Sequence, residues 1–315
     1  MPSSQRPPPH DLAEPANYGG QAVIEGVMMR SRERLAIAVR RPDGGIEVRS
    51  EPTARFYRSR WARLPFVRGL LTLSDALVIG MRALTFSADV AAGDEVELGG
   101  PLMWGTMVAS LVVAVGLFFA LPALVTSLVD RCIQSAWVSN LVEGLIRLLL
   151  FLSYLAAISR IPDIQRVFAY HGAEHKVINA YEDGQPLTLE GARGQSIAHA
   201  RCGTGFLLIV VIVSILVFGF LGRPPLPLRL LTRLFFIPVI AAISYELVRL
   251  ASRHRSHPLA QAVVAPSRLL QGLTAREPAD DMVEVALAAF QRVLTPQPEP
   301  GAAVPQTSAA LTGSS

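Results

Sequence analysis

Residues 203–222 read GTGFLLIVVIVSILVFGFLG, with no charged side chain and a predominance of Val, Ile, Leu and Phe. A helix needs about 20 mostly apolar residues to cross the hydrocarbon core of a bilayer. This stretch therefore predicts a membrane span. The competing reading is a buried helix in a soluble protein. Composition decides between them: charged residues are 17% of the 315-residue chain and hydrophobic ones 51%, whereas a soluble domain carries about 25% charged residues.

Three further stretches are candidate spans. Residues 101–129 contain no charge, and Pro122 is expected to kink that helix near its end. Residues 141–159 are apolar apart from Glu143 and Arg147, an i,i+4 pair. Residues 231–250 are apolar from Phe235 to Tyr245, with Arg233, Glu246 and Arg249 towards the ends. Glu246 could pair with Arg249 or Arg253. Residues 66–88 form a fifth apolar stretch in which Arg68, Asp75 and Arg82 recur every seven residues, near one helical face with Thr72. That pattern reads as a helix lying in the interface or re-entering it. A fifth span is the alternative.

The basic residues set orientation. Lys and Arg number 13 before the first span, 5 in the 160–203 loop and 6 from Arg249 onward, against 1 and 3 in the two remaining loops. The positive-inside rule then places both termini and the 160–203 loop in the cytoplasm of a multi-pass inner-membrane protein. The surplus of arginine is thus a topology signal, and no nucleic-acid partner is expected. Two cysteines exclude a disulfide scaffold.

Ahead of the spans, residues 17–65 form a β-rich cytoplasmic module. Val23, Leu35, Ile37, Val39, Ile46 and Val48 favour strands, and Pro42-Asp43-Gly44-Gly45 reads as a hairpin turn. Residues 1–16 are Pro-rich, without the apolar core of a signal peptide, and residues 295–315 are Pro-, Gly-, Ala- and Ser-rich; both ends are expected to be disordered. Residues 251–294 make a cytoplasmic helical segment. In it, Asp280 and Asp281 open a helix whose Met282, Val285, Ala286 and Phe290 form a stripe.

Candidate chemistry is concentrated in the 160–203 loop. His171-Gly-Ala-Glu174-His175-Lys176 lies on a helix predicted from about Asp163 to Tyr181, begun by Ile161-Pro162 and ended by Asp183-Gly184. On it His171 and His175 share a face and Glu174 lies beside them. Two imidazoles at that spacing can hold a divalent ion such as zinc, with the carboxylate acting on water; H-x-x-E-H is the order of the inverted zinc peptidases. Ile164, Val167, Phe168 and Ile178 share the stripe, so the motif should face packed protein. Lys176 is the only lysine in the chain. A metal-free His/Glu/Lys network that locks the loop is the alternative.

Further on, His199-Ala200-Arg201-Cys202-Gly203-Thr204-Gly205 lies at the mouth of the third span. His199 and Cys202 are candidate metal ligands. They are also a candidate Cys–His nucleophile pair, with no obvious Asp or Asn to orient it. Two more patches could converge on this loop: Gly19-Gly20-Gln21-Ala-Val-Ile-Glu25-Gly26-Val-Met28-Met29-Arg30, and Tyr245-Glu246. His254 and His257 read as solvated.

These motifs carry a resemblance. Residues 19–30, Tyr-His-Gly-Ala-Glu-His-Lys at 170–176, His-Ala-Arg-Cys-Gly-Thr at 199–204 and LQGLTAREPADDMVEVA at 270–286 resemble the YqhQ-like bacterial membrane proteins, over about residues 17–294. That family is uncharacterised and carries the label of predicted metal-dependent enzyme. Where it has His-Pro-Arg-Cys, this chain has Ala200 in place of the proline.

The expectation is an α-helical integral membrane protein with about four transmembrane helices, an interfacial or re-entrant helix, and a small β-rich cytoplasmic module. Its favoured activity is that of a metal-dependent hydrolase at the cytoplasmic face. His171 and His175 are the ligands, with His199 or Cys202 as third; Glu174 is the base; Lys176 or Arg201 holds an anionic group. The rival is a non-enzymatic assembly or scaffold protein. A transporter fits less well, since paired Gly/Pro-broken helices are not evident. The bilayer is the one partner the sequence identifies, and an oligomer is compatible with it.

Overall fold

The structure is a computed structural model and describes residues 18–31, 33–53, 64–93, 101–199, 202–254 and 257–294. The expected disordered ends, the close of the β-rich module, and Ala200 and Arg201 lie outside the described residues.

Four strands, β1 (Gly19–Val23), β2 (Gly26–Arg30), β3 (Arg34–Arg40) and β4 (Ile46–Pro52), form an antiparallel meander in chain order. Its registers include Met28 opposite Ile37 and Ala38 opposite Val48. The expected turn after Arg40 is present: Arg41 N–H donates to the Gly45 carbonyl at 2.8 Å, and Gly44 takes φ 87°. β2 and β3 are apolar at consecutive positions, which a strand can sustain only if both faces are covered. They are. Val27, Met29, Ala36 and Ala38 pack on one side against two helices, α5 (Pro162–Glu182) and α11 (Asp280–Leu294). Val23, Met28, Leu35, Ile37 and Val39 pack on the other against Ile79 and Ala83 of helix α1 (Val67–Ala92).

Four helices are long and apolar enough to cross a membrane: Val67–Ala92, Gly105–Cys132, Ala136–Ile158 and Gly203–Phe220. The first is α1, the third α4 and the fourth α7. α1 is the least apolar of them, with a hydropathy of 1.4 against 2.0 to 2.6. Its second half covers the sheet. Its first half meets helix α9 (Ile237–Arg253), where Arg68 Nε donates to Glu246 at 2.7 Å and Gly69 lies against Tyr245. By length and composition this helix is thus a candidate crossing, the alternative to the expected interfacial or re-entrant position. Glu246 therefore pairs with Arg68, not with the neighbours on its own helix.

The charge-free stretch is not one regular helix. α2 (Pro101–Val115) passes through a π-helical turn, Gly116–Ala120, into α3 (Leu121–Val129). Pro122 has no N–H to give to the carbonyl four residues back, which is that of Phe118. Arg147 Nε takes the freed carbonyl at 2.9 Å. The expected continuous span over 231–250 is also broken: α8 (Leu226–Phe235) and α9 meet at a 44° bend. Pro238 explains it, because its ring and missing N–H disrupt a helix continuing from residue 234.

Candidate metal centre

Helix α5 positions the centre. Pro162 occupies its first turn and Asp163 lies at its positive end. Gly184, at φ 68°, ends it where the sequence predicted. The expectation of a single packed face is too modest, because every residue from Ala169 to Ile178 is buried. Sheet and α11 cover one side. The 193–199 segment and the end of α10 (Pro258–Thr274) cover the other. Gly172 permits that closure, since a Cβ there would sit 2.0 Å from the Arg276 carbonyl oxygen.

The imidazoles are oriented by main-chain carbonyls. His171 Nδ1 lies 2.7 Å from the Thr274 carbonyl oxygen, and His175 Nδ1 lies 2.6 Å from that of Ile197. A carbonyl only accepts, so each Nδ1 carries a proton, which leaves Nε2 as the acceptor nitrogen of the neutral ring. His171 Nε2 is 3.2 Å from Cys202 Sγ, and the two ring centroids are 4.3 Å apart. One ligand atom from each of His171, His175 and Cys202 lies within 4.8 Å of the others. Donors around a tetrahedral zinc are ~3.5 Å apart, so a small contraction would close the set.

Glu174 is buried on the same helix and has two unlike oxygens. The backbone N–H of Gly20 bonds its carboxylate, while Oε2 is buried without a partner. Desolvation pushes the Glu174 pKa up, partly offset by His171, His199 and the Gly20 N–H. The Gly19-Gly20 motif thereby acquires a reason: a Cβ on Gly20 would lie 2.8 Å from Glu174 Cδ and 2.5 Å from the Met28 carbonyl oxygen. The β-module presses against the chemistry of α5, as its convergence on the loop implied.

The other expected site residues are distributed differently. His199 is buried; its Nε2 lies 3.5 Å from Glu182, and Gln271 brackets its backbone by two hydrogen bonds of 2.8 and 3.0 Å. Of the two candidates for third ligand, Cys202 is the one that meets both α5 imidazoles. The Cys202–His199 nucleophile pair does not form, because the thiol faces His171 and the Thr204 hydroxyl instead. Lys176 is buried, donates to the Arg193 carbonyl at 2.7 Å and pairs with Glu277 at 2.6 Å. It thus ties α5 to the 193 segment and to the stretch after α10. Arg201 lies outside the described residues. Glu25 joins Arg166 at 2.6 Å and Tyr170 at 3.3 Å, away from the imidazoles. His254 and His257 are exposed, as expected.

Sequence reasoning missed the partners that orient the centre. Thr274, Gln271 and Glu277 fall within 270–286, so the motif resemblance marked the stretch without assigning a role to it. A cleft of about 380 Å³ adjoins the centre, lined by Asn179, Glu182, Ser196, Ala198, His199 and Arg268.

The model of a family described as a protein of unknown function, DUF1385, matches residues 64–296, which run from α1 through α11. The chain is 34% identical over 295 residues to the uncharacterized protein YqhQ of Bacillus subtilis strain 168, covering 89% of this chain and 93% of that relative. No solved structure matches. A family match of that extent, and a relative sharing nearly the whole length, place the chain in the DUF1385 family of YqhQ-like proteins.

Proposed function

We propose that this protein is a metal-dependent hydrolase of the bacterial inner membrane, with its centre at the cytoplasmic surface. His171 Nε2, His175 Nε2 and the Cys202 thiolate would hold a divalent ion, zinc suiting a donor set of two nitrogens and one sulfur. The observation that carries this reading is the pair of Nδ1-to-carbonyl bonds. Metal-ligating histidines are held in this way, the second nitrogen being fixed by a main-chain or carboxylate acceptor so that the first points inward. A network built only to lock the loop has no need to gather two imidazoles and a thiol within 4.8 Å of one another.

The bound ion would supply Lewis acidity, polarising an acyl or phosphoryl oxygen and bringing water towards neutral pKa. Residues of the chain do the rest. Glu174 Oε1 is held by Gly20, and Oε2 is free to accept a proton from the attacking water. Its raised pKa suits a group that must later return that proton. His199 and Arg268 in the adjoining cleft supply polar contacts for the substrate. Both termini and the 160–203 loop face the cytoplasm in this reading, as the arginine distribution requires.

The test is metal analysis of detergent-purified protein. About one zinc or similar ion per chain is expected, lost when His171 and His175 are both replaced by Ala. A folded, freshly prepared protein without metal would favour the scaffold reading, in which Lys176–Glu277 and Arg193–Asp280 are simply the stitching of the loop.

A further inference from the structure

At the other end of α4 is a second polar centre, and nothing in the proposed hydrolase uses it. Glu143 accepts from Arg147 at 2.9 Å, from Arg229 at 2.9 Å and from Arg233 at 2.8 Å. Arg229 also pairs with Asp130 at 2.7 Å, and Ser139, Asn140 and Ser214 complete the network. Glu143 and the three arginine side chains are 1–3% exposed. Ser139 and Ser159, at the two ends of α4, are ~30 Å apart along a helix rising 1.5 Å per residue. Glu143, the hub of the network, is thus ~24 Å along α4 from Ser159, towards the end of the helix opposite the metal centre.

Among the described residues the charges in this network do not balance. Three guanidiniums meet two carboxylates, and Arg223, at the rim, is a fourth cation, 3.8 Å from Asp130. The polar groups do not balance either. Arg233 uses Nε and Nη2 on Glu143 and Asn140, but Nη1 is buried with no partner. Phe218 lies beside it, its ring centroid 4.0 Å from Arg233 Cζ, a cation–π contact that supplies no oxygen acceptor. A buried donor without a partner among the described residues, beside excess positive charge in a low-dielectric region, suits an anion.

The surroundings indicate where that anion would come from. α8 carries its polarity inward: Arg229 and Arg233 are buried, while Leu228, Leu231, Leu234 and Phe235 are exposed. Trp137 and Phe220 stack edge to face beside it, both largely exposed. Aromatic rings of this kind collect at the headgroup level of a membrane. From the rim inward the side chains alternate in sign, Arg223, Asp130, Arg229, Glu143, Arg233. Arg is the side chain best matched to phosphate oxygens.

We propose that the Arg229/Arg233 face of α8 binds a phosphate oxyanion, carried by a phospholipid headgroup or free in solution, with Arg233 Nη1 as a donor. The proposal is independent of the metal centre.

The experiment is thermal unfolding of the detergent-purified protein with added phosphatidylglycerol, inorganic phosphate or chloride, together with native mass spectrometry for retained lipid. Expected is a saturable rise in Tm of several degrees with phosphatidylglycerol, with phosphate, or with both, and none with chloride at equal ionic strength. A rise with phosphatidylglycerol alone identifies the lipid as the source; a rise with phosphate identifies the free anion as sufficient. In Arg233→Lys, which keeps the charge but loses the planar fork, the rise should disappear. Equal response to chloride, no response to any addition, or an unaltered response in Arg233→Lys would overturn the proposal. If Arg233→Lys does not fold, retained lipid on the wild-type protein decides: phospholipid surviving delipidation supports the site. A protein that retains none and does not respond to phosphate refutes it.

Discussion

Two buried glutamates, one at each end of the helical bundle, differ in what surrounds them. Glu143 faces three guanidiniums, and both of its oxygens are saturated by charged donors. Glu174 faces one backbone N–H and lies near His171 and His199, and one of its oxygens has no hydrogen-bond partner among the described residues. The first is a carboxylate fixed as an anion, whose removal strands its neighbours. The second is a carboxyl whose charge is disfavoured by its surroundings, free to exchange a proton. Burial is common to both. Whether the buried group is a fastening or a reagent depends on the charge of its neighbours.

The comparison breaks if the two respond alike to the same substitution. Glu143→Gln removes the carboxylate shared by three buried arginines, which should cost roughly 3–5 kcal/mol. Yield and Tm of the solubilised protein should collapse. Glu174→Gln keeps an oxygen for the Gly20 N–H and removes a charge that burial already penalises. Its Tm and metal content should change little, while activity, read as biological complementation, falls by on the order of 10²–10⁴. A destabilised Glu174→Gln would make that residue structural. A stable, metal-loaded and complementing one would remove it from the chemistry.

Gly20→Ala sharpens the same contrast from the side of the sheet. The new methyl group would sit 2.8 Å from Glu174 Cδ and 2.5 Å from a strand carbonyl, closer than real Cβ contacts allow. Overpacking of this kind costs about 1–3 kcal/mol. Because it displaces the carboxylate, activity should fall further than stability explains, with metal content retained. Gly19→Ala is the control, since nothing lies within 4 Å of its Cβ position.

How much of this was legible in the sequence follows from the range of each interaction. The spans were readable because length and missing charge are local properties, and the α5 motif because i, i+3 and i+4 share a face on any helix. The arginine centre was not. Glu143 and Arg147 announced themselves as a local pair, but Arg229 and Arg233 lie 86 and 90 residues from Glu143, in a stretch that reads as the outer loop and start of a span. No local pattern says that an amphipathic helix turns its arginines inward and its leucines outward; only a lipid surround makes that arrangement favourable. The break before α9 was readable from Pro238, but the hydropathy of residues 231–250 dominated the expectation. Nor could the acceptors on the imidazoles be found in advance, since the Thr274 and Ile197 carbonyls are main-chain atoms that any residue would provide.

The smallest expected effect concerns a third carboxylate, at the rim of the α5 side. Glu25, in the tight turn between β1 and β2 at φ 51°, is held below the usual carboxylate pKa, first by its hydrogen bond to Arg166, against the opposing effect of partial burial. A carboxyl whose pKa is lower folded than unfolded binds fewer protons when folded. Its contribution to stability is therefore complete above the unfolded value, about 4.3 for Glu, and is lost as pH falls through the lower, folded value. Half of the Arg166 side chain is exposed, so solvent screens the pair and its worth is that of a surface bridge, about 0.2–1 kcal/mol. Glu25→Gln should accordingly lower the Tm slightly at pH 7, by an amount that shrinks with added salt, and the difference from wild type should diminish as the pH falls below about 4. Metal content should not change at neutral pH. Because Glu25 also sets the turn that carries Gly20 towards Glu174, a loss of activity in Glu25→Gln with unaltered Tm would show that this pair serves the metal centre and not only the fold.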